Sequence, residues 1–369
     1  MASSSKIIQP LEKGRISALQ FGLLGLTLVI ATSDVFLPSF VAQEAQQDSW
    51  LSVIFGTVSS LVISILFILL AKRFPGKTLV EYSSEILGKV AGKVIAFCFI
   101  LYMLIVAYAV LRELGDIFVT SFNPDAPLII YSFITVLVAA YAVHNGLEVI
   151  ARVNQLMIPF GLGILGLITL ANIKETDLTN YLPILENGVI PPLKGAILIQ
   201  AWLLELVIML QFVPFVKDKK NIGKSFTLTI VVLGFSLLLG TLTITVFGKL
   251  TSQLIYPALE YVRYASIGEY IKNLDITIMG VWIIGIFIKI TIVYYGLVLG
   301  ISQLFGFKSY KPMIVPVGLL IITLSVSASE RLKGVFNFAH FTFPFFSFSI
   351  AFFIPLLLLT VSLIRKKKA

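Results

Sequence analysis

The chain carries little charge for its length. Only 13% of its 369 residues are charged, whereas soluble domains carry about 25%. Hydrophobic residues make up 58% of the chain and the mean hydropathy is +0.98. A soluble globular protein is excluded, because 28 basic and 19 acidic side chains are too few to cover a water-facing surface of this size.

Residues for redox and metal chemistry are scarce as well. The single cysteine, Cys98, lies in an apolar run, and one cysteine cannot form an intramolecular disulfide. Two histidines, His144 and His340, do not by themselves make a zinc or haem site. The sequence contains no P-loop, nucleophile elbow or HExxH motif. We therefore expect no cofactor, no metal site and no enzymatic activity.

Long apolar runs dominate the chain. A helix needs about 20 apolar residues to cross the hydrocarbon core of a membrane. Ten windows of that kind are nearly free of charge. They are residues 15–42, 50–71, 94–111, 127–144, 148–171, 195–216, 225–247, 276–305, 312–328 and 336–364. The sequence predicts an all-α integral membrane protein in which residues 1–369 form a single membrane domain.

The basic residues are distributed unequally between the two sides. An even number of spans places both termini on one side, where the loops hold 19 Lys and Arg residues against 8 on the other. Arg112, Glu113 and Asp116 follow the third window and are assigned to the second side. Because short loops rich in Lys and Arg stay in the cytoplasm, we expect cytoplasmic termini and an external segment 248–275. The net charge of +9 reflects this bias together with the basic tail 365–368, which indicates contact with anionic lipid and not with nucleic acid.

The spans divide into two equal groups. Residues 15–171 hold the first five, and residues 195–364 hold the other five. Since five is odd, the second group enters the membrane with opposite polarity, as an inverted repeat requires. The sequence therefore predicts two inverted five-helix repeats.

Two spans at matching positions contain residues that disfavour a regular helix. Ser33 and Asp34 precede Pro38 in the first span, and Glu205 precedes Pro214 in the sixth. Serine and aspartate compete for backbone hydrogen bonds, and proline removes one. We expect the helix to unwind at both places, which is where transporters of inverted-repeat design bind their substrates.

Three ionisable residues lie inside spans, namely Asp34, Glu205 and Lys289. With a rise of about 1.5 Å per residue, all three fall near the middle of the bilayer. A charge at that depth normally faces a cavity or a partner. One interpretation is a structural ion pair; the other is a polar pocket in which Lys289 pairs with Glu205 while Asp34 contacts a ligand. Candidates for lining such a pocket are Tyr102, Tyr108, Thr291 and Tyr294.

The segments between the spans resemble those of a known family. These segments are FPGKTLVEYSSEILGKVAGK (74–93), EVIARVNQLMIPF (148–160), NYLPILENGVIPPLKG (180–195) and YPALEYVRYASIGEYI (256–271). In this order, over nearly the whole chain, they resemble the spore-germination permease family, the B subunits of nutrient germinant receptors. That family belongs to the amino acid–polyamine–organocation superfamily. The resemblance implies a LeuT-like fold of ten helices in two inverted repeats, with helices 1 and 6 broken around the ligand.

The resemblance also implies a biological role. It implies a subunit of the inner membrane of a bacterial endospore that senses an amino acid, nucleoside or sugar together with an A subunit and a lipoprotein C subunit. Superfamily members have glycines at both helix breaks, and this chain does not. The implied ligand-binding residues are Ala31, Thr32, Ser33, Asp34, Ala201, Trp202 and Glu205. Two alternatives stay open, an active proton- or cation-coupled permease and a structural scaffold with a vestigial pocket.

One region combines charges with aromatic residues, a composition that suits an interface. It is the stretch 256–271, which we expect to form an amphipathic helix. Together with residues 180–195 it is predicted to face a partner or to form a gate. The residues concerned include Tyr256, Glu260, Arg263 and Glu269.

The orientation is testable with a single introduced cysteine. If the termini are cytoplasmic, Lys366→Cys should not react with a membrane-impermeant thiol reagent added from outside, and it should react once the membrane is permeabilised. The measurement is mass-tag labelling in intact and permeabilised cells. Labelling from outside would contradict the orientation.

Overall fold

The computed structural model describes residue 11 and residues 14–121, 125–264, 274–328 and 332–367. Within these ranges the chain is helical and has no β-strand beyond one isolated pairing of Ile16 with Val216. Eight helical stretches in the described part are long and apolar enough to cross a membrane. The first of them, Ala18–Arg73, contains two spans, and a shorter apolar helix covers Lys311–Ser327. The chain is a multi-pass membrane protein.

The first half of the chain forms six helices. They are α1 (Ala18–Ala45), α2 (Ser49–Arg73), α3 (Leu79–Leu87), α4 (Lys89–Ser121), α5 (Leu128–Asn145) and α6 (Leu147–Ala171). Ser17 and Gln20 begin α1 with a capping box, in which each side chain accepts a hydrogen bond from the other's backbone N–H. Gly88 and Gly146 have φ values of 91° and 92°, which suit glycine and let one helix follow another after a single residue.

The second half is less regular. Its elements are α7 (Ile190–Leu203), a 3₁₀-helix (Leu204–Gln211), α8 (Ile222–Gly240), α9 (Leu242–Phe247), α10 (Pro257–Tyr264), α11 (Leu274–Phe305), α12 (Ile314–Ser327), α13 (Leu332–Asn337), a π-helix (Phe338–Thr342), α14 (Phe343–Phe346), a second π-helix (Ser347–Phe352) and α15 (Phe353–Ile364). Helices occupy all ten predicted windows. No feature of the sequence predicts the π-helical turns of the last span.

The interruption expected in the sixth span is present. The α-helix ends at Leu203 and the chain continues as a 3₁₀-helix, with Glu205 as its second residue. A 3₁₀-helix is narrower and longer per residue than an α-helix, and such stretches within a helix often mark functional sites. The sixth span therefore departs from regular α-helical geometry at the position of the buried Glu205 carboxylate.

The prediction that the helix is interrupted in the first span is wrong. Helix α1 continues without a break through residues 31–34 and through Pro38. Two of the polar side chains lie against other helices, because the Thr32 hydroxyl accepts a hydrogen bond from Lys289 and one oxygen of Asp34 lies against Ser236. These two side chains therefore do not compete for the backbone of their own helix. The Ser33 hydroxyl has no hydrogen-bond partner among the described residues.

The third span is longer than predicted. Helix α4 extends to Ser121, ten residues beyond the predicted end at 111, so Arg112, Glu113 and Asp116 belong to a buried helix and not to an external loop. Arg112 and Asp116 are one turn apart and pair at 3.1 Å. This pairing lowers the cost of keeping both charges inside the protein.

Helix α1 lies at the centre of the molecule. Every residue from Leu24 to Ala42 is buried, and α1 packs against α7, α8 and α11. Helix α11 is equally enclosed between Ile288 and Gly300. In contrast, α5 and α6 expose apolar side chains such as Ile134 and Leu156, as helices that face lipid do.

Small residues let α2 approach its neighbours closely. A Cβ atom added at Gly56 would lie 2.6 Å from Cβ of Ile199 on α7, and one added at Gly195 would lie 2.4 Å from Oγ of Ser52. Close backbone contact of this kind is a principal means of helix association in membranes.

We expect Gly56→Ala to destabilise the protein. The added methyl overlaps Ile199, and overpacking of a well-filled interior costs about 1–3 kcal/mol. Gly163→Ala on α6 is the matched control, because no atom lies within 4 Å of its added Cβ. Thermal unfolding of the detergent-solubilised protein should show a lower midpoint temperature for Gly56→Ala and the parent midpoint for Gly163→Ala. Equal midpoints for both variants would contradict the close contact between Gly56 and Ile199.

Candidate functional site

The central feature of the site is a fully buried ion pair. Nζ of Lys289 on α11 lies 2.7 Å from Oε2 of Glu205, and the two side chains are 0% and 2% exposed. The same ammonium donates a hydrogen bond of 2.7 Å to the Thr32 hydroxyl of α1. One lysine therefore joins α1, α11 and the 3₁₀-helix that follows α7.

A second carboxyl group shares this site. Glu113 of α4 is 6% exposed, and its Oε2 atom has no hydrogen-bond partner among the described residues. Glu113 and Glu205 line one cavity of about 20 Å³ together with Thr32 and Trp202. Two carboxyl groups face one ammonium here, so one of them is left for a proton or a cationic ligand.

Aromatic side chains cover the cavity toward the Ala45 end of α1. Trp202 packs on Phe40 at 6.1 Å and on Phe343 at 4.9 Å between ring centroids. Phe40 in turn packs on Phe336 at 5.2 Å and on His340 at 4.9 Å. Trp202 and Phe343 of this cluster line the cavity.

The segment that precedes α1 is bonded to the chain that follows the 3₁₀-helix. Backbone hydrogen bonds of 3.0 and 2.9 Å join Ile16 to Phe215 and Lys217. The Arg15 guanidinium donates a further hydrogen bond of 2.6 Å to the carbonyl of Pro214. These bonds hold the segment before α1 against the end of the sixth span.

Asp34 does not lie at this cavity, contrary to the expectation of one pocket shared by three charges. Its Oδ2 atom lies 3.5 Å from the Ser236 hydroxyl of α8. With 3.6 residues per turn, Thr32 and Asp34 point about 200° apart on α1. The straight helix therefore directs Thr32 toward Lys289 and Asp34 toward the other side of the bundle.

The other predicted pocket residues lie close to the site without lining its cavity. Tyr102 is 3.4 Å from the Ser347 hydroxyl, Thr291 donates to the carbonyl of Phe287, and Tyr294 donates to the carbonyl of Ile314. Tyr108 is half-buried. The Tyr102 and Tyr294 contacts join different helices, whereas the Thr291 bond stays within α11. Ser33 and Ala201 are buried, and Ala31 lines the cavity beside Asp34.

The region predicted to face a partner or form a gate is described in part. Helix α10 buries one face, and Tyr256 packs on Phe36 at 5.7 Å. Glu260 and Arg263 form an exposed pair at 2.8 Å. Glu269 lies outside the described residues.

Sequence reasoning missed Glu113 because the charges at 112–116 looked like the end of a span. A signal was nevertheless present. Val106, Val110 and Glu113 follow the i, i+4, i+7 spacing of one helix face. Arg112 and Asp116 have the i, i+4 spacing of a pair within a helix. Both spacings indicate that the helix continues beyond the apolar window.

Comparison with known proteins agrees with the fold and the sequence pattern. The family model described as "Spore germination protein" matches residues 15–333. Spore germination protein KB of Bacillus subtilis (strain 168) is 28% identical over 369 residues, covering 97% of each chain. Spore germination protein YndE of the same organism is 28% identical over 364 residues, covering 96% of this chain and 98% of YndE.

Two solved structures share this fold. The crystal structure of MhsT in complex with L-phenylalanine superposes with a TM-score of 0.64, at 12% identity, covering 95% of this chain and 99% of MhsT. A Na⁺-coupled sialic acid symporter in a substrate-bound, outward-open state gives a TM-score of 0.62, also at 12% identity, covering 95% of this chain and 90% of the symporter. The chain therefore has the LeuT-like transporter fold that the resemblance implied.

We expect Lys289→Met to be strongly destabilising. It leaves Glu205 buried without its counter-charge, and breaking such a pair costs about 3–5 kcal/mol. Glu205→Gln should partly rescue Lys289→Met, because it removes the uncompensated charge. Thermal unfolding of both single variants and the double variant measures the coupling.

The control for this cycle is Lys77→Met. Lys77 pairs with Glu85 at the surface, where its side chain is 41% exposed, so its loss should cost less than about 1 kcal/mol. If Lys289→Met unfolds at the parent midpoint, the central pair does not hold these helices together.

Proposed function

Because this chain belongs to the spore germination protein family, we propose that it is the B-type membrane subunit of a nutrient germinant receptor, and that its central cavity binds a small polar nutrient. The observation that carries the proposal is the buried Glu113 carboxyl group, whose Oε2 atom has no hydrogen-bond partner among the described residues, facing a cavity that also contains the Glu205–Lys289 pair. An unpaired carboxylate in such a site favours a ligand with an ammonium group. An amino acid has this chemistry.

The walls of the cavity suggest how binding becomes a signal. A volume of about 20 Å³ holds about one water molecule, so a nutrient can enter only if the walls move. The walls include Glu205 of the 3₁₀-helix and Phe338 of the first π-helix, both in segments of irregular helical geometry. Such segments commonly mark functional positions in helices. We infer that the nutrient displaces the last span relative to the 3₁₀-helix.

The proposed receptor places the chain in the inner membrane of the spore with cytoplasmic termini. The A subunit and the lipoprotein C subunit would contact the segment 180–195 and helix α10. Apolar side chains exposed outside the long helices support this assignment. Leu182 and Ile184 are 60% and 52% exposed in the connection between α6 and α7, where they would be covered by a protein partner.

A coupled permease is the second candidate. The observation that favours it is the fold, which the chain shares with a Na⁺-coupled sialic acid symporter. Proteoliposomes containing this chain alone separate the alternatives. Accumulation of labelled nutrient supports the permease, binding without accumulation supports the sensor, and neither supports a structural scaffold.

We expect Glu113→Gln to weaken the nutrient response by about 10–100-fold. The substitution keeps the shape of the side chain and removes a charge-assisted hydrogen bond worth about 1.5–3 kcal/mol. The nutrient is first identified by screening single amino acids, nucleosides and sugars on spores with and without this chain. Germination dose curves of spores with equal receptor amounts then measure the shift.

The control for this prediction is Glu148→Gln. Glu148 is an exposed residue at the start of α6 that pairs with Arg152, and its substitution should leave the dose curve unchanged. Equal dose curves for the Glu113→Gln and parent spores would rule out Glu113 as the ligand-facing group.

A further inference from the structure

Asp34 is a buried carboxyl group without a cationic partner among the described residues. It is 8% exposed, and no Lys or Arg of those residues lies within ion-pair distance. Its Oδ2 atom has only the Ser236 hydroxyl at 3.5 Å, and its Oδ1 atom has no hydrogen-bond partner in the described part of the chain. A buried carboxyl group in this state requires a proton or a bound cation.

Two cavities meet at this side chain. One has a volume of about 60 Å³ and the other about 50 Å³, and Asp34, Leu165 and Trp282 line both. The smaller one is the more polar, with Ser236 and Thr243 in its wall. The larger one is walled mainly by apolar side chains, among them Ile30, Met157, Ile158, Leu162 and Ile288.

The larger cavity reaches the lipid-facing surface between α6 and α11. Phe160 and Ile284 line it, and these side chains are 62% and 40% exposed on membrane-spanning helices. Gly161 and Gly285 line it as well. A molecule dissolved in the bilayer can therefore approach the cavity laterally.

We propose that this second site binds an amphipathic primary amine that enters from the bilayer, with its ammonium group on Asp34 and its apolar body in the larger cavity. An aliphatic or aromatic body suits the apolar wall, and a single ammonium group supplies the positive counter-charge for the Asp34 carboxylate. The site is separate from the central cavity, because Asp34 and Thr32 lie on opposite sides of α1. The proposal does not depend on the nutrient site.

Trp282 provides a direct readout, since it lines both cavities. The chain has three tryptophans, Trp50, Trp202 and Trp282. In full-length protein carrying Trp50→Phe and Trp202→Phe, reconstituted in nanodiscs, Trp282 is the sole tryptophan emitter. Titration with n-hexylamine should change its fluorescence in a saturable way. Asp34→Asn should weaken the apparent affinity at least ten-fold, whereas 1-hexanol should show no dependence on Asp34.

A second variant tests the cavity without changing the charge. A Cβ atom added at Gly285 would lie 3.5 Å from that of Ala31, an ordinary contact, so Gly285→Ala narrows the cavity without steric overlap. It should weaken hexylamine binding at least three-fold. Glu113→Gln, in the central cavity, should leave the affinity unchanged.

Three results would overturn the proposal. The first is an equal response to hexylamine and hexanol in the parent and in Asp34→Asn, which indicates partitioning into lipid. The second is loss of the response in Glu113→Gln with retention in Asp34→Asn, which assigns the amine to the central cavity. The third is unchanged affinity in both Asp34→Asn and Gly285→Ala.

Discussion

A buried ammonium group constrains the arrangement of this membrane domain. Lys289 is 0% exposed in the middle of α11, and an isolated charge at that depth costs at least about 2.5–3.5 kcal/mol on insertion scales. The cost is offset only if an anion and a polar group reach the ammonium from neighbouring helices. Glu205 and Thr32 do so at 2.7 Å each. The pair therefore fixes the register of α1, α11 and the segment after α7 relative to one another.

The irregular helical segments surround this pair. The 3₁₀-helix that carries Glu205 packs against the second π-helix of the last span, Ser347–Phe352. The hydrogen-bond geometry of a 3₁₀-helix is poorer than that of an α-helix, and 3₁₀ and π stretches within helices often mark hinges or functional positions. A cavity bordered by such segments can change its volume without unfolding a span. The proposed receptor function needs such a change, because the resting cavity of about 20 Å³ is smaller than a nutrient.

Helix α1 separates cavities with different chemistry. Thr32 takes part in the charged centre, and Asp34 faces cavities with a largely apolar lining. This separation follows from the continuity of the helix, because residues two apart in an α-helix point to opposite sides. An unwound segment at residues 31–34 would have allowed both side chains to reach the same cavity. The unbroken backbone of α1 therefore keeps Thr32 and Asp34 in different cavities.

Hydrophobic runs and the spacing of charges alone determined the helical architecture of this protein. They predicted an all-helical membrane domain with ten apolar windows, because the energy of placing a residue in lipid depends mainly on its own chemistry. The irregular geometry at Glu205 was predicted from the carboxylate and the proline that follows it in the same span. The presence of Lys289 and Glu205 at similar depth likewise follows from counting residues along regular helices. The amino-acid sequence is therefore sufficient to predict the helical architecture and the depth of this pair.

The tertiary structure alone decided which charges meet. The sequence favoured Asp34 as the second carboxyl group of the site, and the structure places Glu113 there instead. That choice depends on the rotation of α1 and on how far α4 continues, and both are set by packing against other helices. The polar residues at 31–34 disfavour a helix locally, yet partners on α8 and α11 satisfy Asp34 in part and Thr32 directly. These contacts outweigh the low helix propensity of residues 31–34. Leaving a polar group unsatisfied in a membrane interior costs more free energy than keeping these residues in a helix.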